Sequence, residues 1–195
     1  MIHAEPQLIH FVTGNPRKFA EAEAILGNAA RLRQYVIELP EIQGSLEEIA
    51  REKCRSAATA TQGPVLTEDS ALEFHALNGL PGPYIKWFYS ALGNTGLCQL
   101  LAAFEDKSAS AICTYAFSSG PGVEPVLFQG RVDGQIVTPR GTNGFAFDPI
   151  FEVQGKTYGE MDAQTKACRI SCLNDTLLYR SSRAGSAITL VEHGI

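Results

Sequence analysis

The five cysteines of this 195-residue chain, Cys54, Cys98, Cys113, Cys168 and Cys172, are odd in number and include no C-x-x-C pair. That pattern suggests neither a disulfide framework nor a zinc site, and reduced thiols in a cytoplasmic protein are the simpler reading. No apolar run approaches the roughly 18 residues needed to cross a membrane. The opening "MIHAEPQLIHFV" has no charged segment followed by a long apolar one, so neither membrane insertion nor export is expected. Basic charge is in short supply too, the formal net charge being -5. General nucleic-acid binders neutralise phosphates with a net basic face, so nucleic acid is not an expected partner. A local basic pocket for one small anion stays compatible with that balance. Repeats, low-complexity tracts and linkers are also missing.

What is present fits a folded enzyme-sized unit. A hydrophobic content of 45% is ordinary for a globular protein, and residues 1–195 read as one domain. "QLIHFVTG" predicts a strand running into a turn. "NPRKFAEAEAIL" predicts a helix with Asn15 as N-cap, Pro16 at the first helical position, and an inner face of Phe19, Ala22, Ala24, Ile25 and Leu26. "QYVIELPE" reads as a strand closed by Pro40. "SLEEIAREKCRSAATAT" reads as a helix whose Ser45 and Glu48 have capping-box spacing. "GPVLTED" is the next strand, and "GPYIKWFYSAL" and "TGLCQLLAAF" read as helices. "SASAICTYAFSS" and "PVLFQGRVDGQIVT" have strand chemistry, the latter punctuated by Asp133-Gly134, and helix resumes from Asp162. The alternation predicts an α/β or mixed α+β domain with a central sheet.

Ligands of such domains bind where a strand ends and feeds a helix. In "TGNPRK", Gly14 allows a close turn, and Thr13, Asn15 and the backbone amides surround the positive end of a helix dipole, with the Lys18 ammonium one turn in. This is a phosphate cradle in outline, although not a G-x-x-x-x-G-K-[ST] loop; the plainer reading is a well-capped helix with a surface lysine. In "LPEIQG", Glu41 follows a strand end, and Lys53 lies two turns into the next helix, where it can return toward the same place. In "VLTEDSALEF", Glu68 and Asp69 stand side by side with Ser70 behind them. Like charges raise one another's pKa, so crowded carboxylates favour a cation between them. Mg²⁺ takes oxygen ligands and uses one or two carboxylates together with substrate phosphates, and Glu41, Glu68 and Asp69 suffice for it. A helix-capping Asp69 beside a solvated Glu68 is the alternative. Together, a helix-end cradle, lysines and an acid set point to Mg²⁺-dependent chemistry on a nucleoside polyphosphate.

"FVTGNPRK", "LPEIQG", "LTEDSALEFHALNGLPGPYIKWF", "FEDKSA", "TPRG" and "GFAFDPIF...KTYGEM" resemble, in this order, the inosine triphosphate pyrophosphatase family, and "NGLPGPYIKWF" resembles its eukaryotic branch. The resemblance runs from about Phe11 to Met161. It implies a two-lobed α/β fold with an elongated central sheet flanked by helices, a nucleotide cleft between the lobes, and usually a homodimer. It implies hydrolysis of ITP, dITP and XTP to the monophosphate and pyrophosphate, which clears deaminated purines from the nucleotide pool, with Mg²⁺ as cofactor and Mn²⁺ as its substitute.

Carried over by position, Thr13, Gly14, Asn15, Pro16, Arg17 and Lys18 would hold the phosphates, Lys18 also serving catalysis. Glu41 and Asp69 would hold Mg²⁺, Asp69 would activate water beside Ser70, and Lys53 and Lys86 would bind the triphosphate. Phe145, Ala146 and Phe147 would supply apolar and stacking surface for the base, Asp148 an acceptor, and Lys166 a further nucleotide contact. One departure concerns the base. The family has a Ser-His-Arg segment whose His and Arg reach the base; here those two positions fall on Ser171-Cys172 or on Cys172-Leu173, both of which lack the pair, and Arg169 is the first candidate for a substitute donor. His3, His10, His75 and His193 fall outside the matched positions and are read as structural or surface groups. A catalytically silent nucleotide-binding relative is one competing reading, against which Glu41, Glu68 and Asp69 are intact; a pyrophosphatase of altered base selectivity is the other.

Overall fold

The computed structural model describes residues 8–26, 30–162 and 165. Strand β1 (Leu8–Val12) leads to helix α1 (Pro16–Leu26), strand β2 (Arg31–Tyr35), helix α2 (Leu46–Thr61) and strand β3 (Val65–Phe74). A short strand β4 (Pro81–Gly82), helix α3 (Ile85–Leu100) and strands β5 (Ser108–Ser118), β6 (Val126–Ile136), β7 (Phe151–Val153) and β8 (Lys156–Thr157) follow. One sheet takes them in the order β2-β1-β3-β5-β6-β7-β8, with β4 paired to β3. β1 is parallel to both β2 and β3, whereas β4, β7 and β8 join antiparallel. This is a mixed α/β fold with a central sheet and flanking helices. No described helix is long and apolar enough to cross a membrane. The described residues divide into two compact units, residues 8–68 with 115–128 and residues 69–114 with 129–165, so that β3, β5 and β6 each begin in one unit and end in the other.

Local chemistry accounts for the helices of the first unit. Asn15 Oδ1 accepts the Arg17 N–H at 2.9 Å, satisfying one of the donors that a helix start leaves open, and Pro16 occupies the first turn, where its missing N–H costs nothing. Ala22 and Leu26 are buried and Phe19 stacks on Phe11 at 6.3 Å, but Ala24 is exposed, so the inner face of α1 is narrower than expected. In α2 the Ser45–Glu48 capping box is complete, and the buried positions Ala50, Cys54, Ala57 and Ala58 recur at helical spacing. They cluster with Val12, Val65 and Ala116. Phe11 thus meets α1 while its neighbour Val12 meets the α2 cluster, which sets the two helices on opposite faces of the strand. With strand order β2-β1-β3, the carboxyl end of β1 is a topological switch point, the place where open α/β sheets bind ligands.

The second unit has its own core, in which Leu72, Phe74, Leu97, Leu101, Ile150, Phe151 and Tyr158 are almost wholly buried. Each such side chain contributes about 1.5–3 kcal/mol on leaving water. The two helices expected over residues 82–92 and 95–104 form the two halves of α3, which meet at Gly93, whose φ of 61° and ψ of -177° lie outside helical space.

Three expectations are corrected. β2 ends at Tyr35 rather than at Pro40, and Val36 beyond it is 69% exposed. β3 does not stop at its acids but runs on to Phe74. Asp133-Gly134 makes no turn, because β6 passes straight through it: a side chain at Gly134 would collide with the Glu152 carbonyl and the Phe151 ring, so glycine is there for close approach.

Candidate active site

The turn after β1 is built by its own polar side chains. Thr13 Oγ1 accepts the Asn15 N–H at 3.1 Å, and Asn15 Oδ1 takes that of Arg17. β2 braces the turn from the side, Gln34 Nε2 donating to the Thr13 carbonyl at 3.0 Å and Thr13 N–H to the Tyr35 carbonyl at 3.1 Å. A phosphate arriving at the positive end of α1 would compete with Thr13 Oγ1 and Asn15 Oδ1 for these amides. Gly14 and Arg17 are exposed, and Pro16 opens the helix.

Both lysines expected near this turn reach β3. Lys18 Nζ lies 2.6 Å from Glu68 Oε2, with side-chain exposures of 19% and 4%. Lys53, from α2, donates to the Glu68 backbone carbonyl at 3.4 Å. Two cations and one buried acid therefore meet at the strand beside the switch point.

The premise that Glu68 and Asp69 crowd each other does not survive the extended backbone. Successive side chains of a strand leave opposite faces, so neighbours in sequence are turned apart, and their adjacency does not by itself require a cation between them. The carboxylate of Glu68 already has a cation, Lys18. Among the described residues no three His, Cys, Asp or Glu side chains form a metal-holding group. Glu41 is exposed in the segment before α2 and Asp69 is half-buried on β3; each is a hard oxygen donor of the kind Mg²⁺ takes. Ser70 follows Asp69 and is half-buried.

In the second unit, Lys86 lies in the first turn of α3, exposed, with its ammonium 4.9 Å from the centroid of the Trp87 ring. The "FAFD" segment is a tight turn. Asp148, 2% exposed, accepts the Phe145 N–H on Oδ2 at 2.7 Å. Ala146 has a positive φ of 52° and its carbonyl is held by Asn94 Nδ2 at 3.0 Å. Gly144 is there because a Cβ would sit 2.0 Å from Asp148 Oδ2. One expected role changes: Phe147 is 8% exposed and packs edge-on to Phe151 in the core, which leaves the half-buried Phe145 as the aromatic surface of this turn. Gln34 and Asn94 were not expected, and a lone amide in a strand or helix carries no signal of the carbonyl it will find.

Lys166, Arg169, Ser171, Cys172 and Leu173 lie outside the described residues, as does the helix expected from Asp162 beyond Thr165. Asp162 accepts both the N–H and the hydroxyl of Thr165 at 2.8 Å.

A family model, the Ham1 family, matches residues 9–172. The chain belongs to the Ham1 family. Among curated relatives, the inosine triphosphate pyrophosphatase of Ajellomyces capsulatus is 60% identical over 158 residues, which is 81% of this chain and 86% of that protein. The protein of the same name from Emericella nidulans is 59% identical over the same shares of the two chains. Among solved Ham1 structures, a HAM1 protein from Coxiella burnetii aligns with a TM-score of 0.74 at 30% identity, covering 85% of this chain and 91% of that one. A nucleoside-triphosphatase described as a dITP/XTP pyrophosphatase, from Mycobacterium abscessus, aligns with a TM-score of 0.67 at 29% identity, covering 83% and 93%.

Proposed function

We propose that the protein hydrolyses deaminated purine nucleoside triphosphates, ITP, dITP and XTP, to the monophosphate and pyrophosphate, and so cleans the cytoplasmic nucleotide pool. The observation that carries this reading is the meeting of Lys18, Lys53 and the α1 N-terminus at the carboxyl end of β1, in a chain 60% identical to a protein named for ITP pyrophosphatase activity. A triphosphate brings about four negative charges, and lysines with a helix dipole are what binds them.

On this reading, Thr13 through Lys18 grip the phosphates, Lys53 and Lys86 neutralise them, and Asp69 takes the proton from the water that attacks the α-phosphorus. Phe145 stacks on the base, and the Phe145–Asp148 turn limits what fits beside it. Glu41 and Asp69 would hold Mg²⁺, which would supply charge neutralisation for the phosphate oxygens. The working unit is a homodimer. Base selectivity falls to a donor other than a His-Arg pair, with Arg169 the first candidate.

The test is to incubate the purified protein with ITP, dITP, XTP, ATP and GTP, with Mg²⁺ or with EDTA, and to identify the products. The expected result is monophosphate and pyrophosphate from the first three, abolished by EDTA and restored by Mg²⁺ or Mn²⁺. Inorganic phosphate and the nucleoside diphosphate as products would refute the reaction, and undiminished turnover in EDTA would refute the metal.

A further inference from the structure

Glu68 is the most enclosed charged group at the end of β1, its side chain 4% exposed against 19% for Lys18. A buried carboxylate persists in its charged form when a cation and hydrogen bonds compensate it. The two partners differ in stiffness. Glu68 belongs to a strand inside the sheet, flanked by β1 and β5, whereas Lys18 is a four-carbon stem that would otherwise sample many rotamers. The stiff group places the flexible one. Glu68 also offers its carbonyl to Lys53, so that one residue is the common anchor of two lysines that come from opposite faces of the sheet.

We propose, on the reading that this site binds a triphosphate, that Glu68 is a positioning residue for Lys18 and not a metal ligand. An ammonium carries three donors, and the ion pair with Glu68 fixes the place from which they can reach a phosphate. Two effects oppose each other when the carboxylate is removed: an anion leaves the neighbourhood of a polyanion site, which favours phosphate, and Lys18 loses its fixed position, which disfavours it. The enclosure of the pair makes position the larger effect, because a released Lys18 can swing to solvent.

The experiment measures binding of inorganic pyrophosphate in EDTA by calorimetry, steady-state kinetics on ITP, and Mn²⁺ affinity by electron paramagnetic resonance, in wild type and Glu68→Gln. Pyrophosphate should bind about tenfold more weakly to the variant, as for the loss of one charge-assisted bond. KM for ITP should rise by a similar factor with kcat changed much less, and Mn²⁺ affinity should stay at the wild-type value. Pyrophosphate binding that is unchanged or tighter would show that Glu68 competes with phosphate, and weaker Mn²⁺ binding would make it a ligand; either overturns the proposal. Should Glu68→Gln not fold, Lys18→Met/Glu68→Leu removes both charges together, and its Mn²⁺ affinity decides in the same way: wild-type affinity supports the proposal and a loss overturns it. A wild type that neither binds pyrophosphate nor hydrolyses any triphosphate would instead refute the functional reading itself.

Discussion

Gln34 and Thr13, 21 residues apart in sequence, are joined by a 3.0 Å hydrogen bond from the side-chain amide of one to the carbonyl of the other. Since Tyr35 takes the Thr13 N–H, two consecutive residues of β2 hold the first residue of the phosphate turn on both of its polar groups. Gln34→Leu removes one of these holds, a net loss of about 1 kcal/mol. The expected outcome is a KM for ITP raised about fivefold at nearly constant kcat. An unchanged KM would mean that the Tyr35 carbonyl and the turn's own Thr13 and Asn15 bonds hold it without Gln34.

Asp69→Asn keeps the shape of the side chain and removes its capacity to accept a proton or bind a hard cation. Turnover of ITP should fall roughly 100-fold or more, the range typical for loss of a general base, while binding of ITP to the protein persists in a calorimetric titration. Near wild-type turnover would take Asp69 out of the mechanism.

The parts of the fold legible in the sequence are those written in local chemistry. Ser45 and Glu48 close their capping box because both partners lie within one helical turn, and Asn15-Pro16 starts α1 for the same reason. What escaped depends on distant chain. A strand is legible at Gln34-Tyr35 but its bounds are not: the apolar Val36 and Ile37 suggest continuation to Pro40, whereas pairing with β1 sets β2 at Arg31–Tyr35. β3 continues through Glu68, Asp69 and Ser70 because neighbouring strands pair its backbone whatever its side chains are. Gly134 reads as a turn until β7 is seen to press against it. At the site, the lysines were visible as residue types, but that Lys18 would face Glu68 follows only from β1 and β3 being neighbours.

Arg140 ties the segment after β6 to Glu152 of β7 and to Glu160. The Arg140 guanidinium, helped by Gln135, holds the Glu152 carboxyl below its ordinary value of 4.5, and the Thr157 N–H, with Arg140, does so for Glu160. Groups with a depressed folded pKa stabilise above the ordinary value, and that contribution is lost as pH falls through 4.5 and below. Arg140→Gln should therefore lower the Tm at pH 7 and flatten its decline between about pH 5 and pH 3. Parallel Tm curves for variant and wild type would show that these pairs are too well solvated to matter.

Cys54 is fully buried, its Sγ donating to the Ala116 carbonyl at 3.4 Å, and burial pushes its thiol from 9.0 up to about 12. A raised folded pKa leaves stability unaffected below 9.0 and erodes it as pH climbs from there toward 12. Iodoacetamide at pH 8 should spare Cys54 in the native protein and modify it after unfolding in guanidinium, as read by peptide mass spectrometry. Rapid native labelling would mean that α2 opens readily from the sheet.

The break at Gly93 bears on how α3 melts. A residue with ψ of -177° cannot pass the ladder of amide bonds along the helix, so nucleation on one side does not propagate to the other. The segment bearing the exposed Lys86 and Trp87 is therefore joined to the segment that buries Leu97 through the core that Ile85 and Leu97 share, and not through a continuous helix ladder. Deuterium uptake should show a local maximum at that glycine, with protection rising on either side toward the positions anchored by Ile85 and Leu97; a smooth profile through Gly93 would mean that the two halves open as one helix.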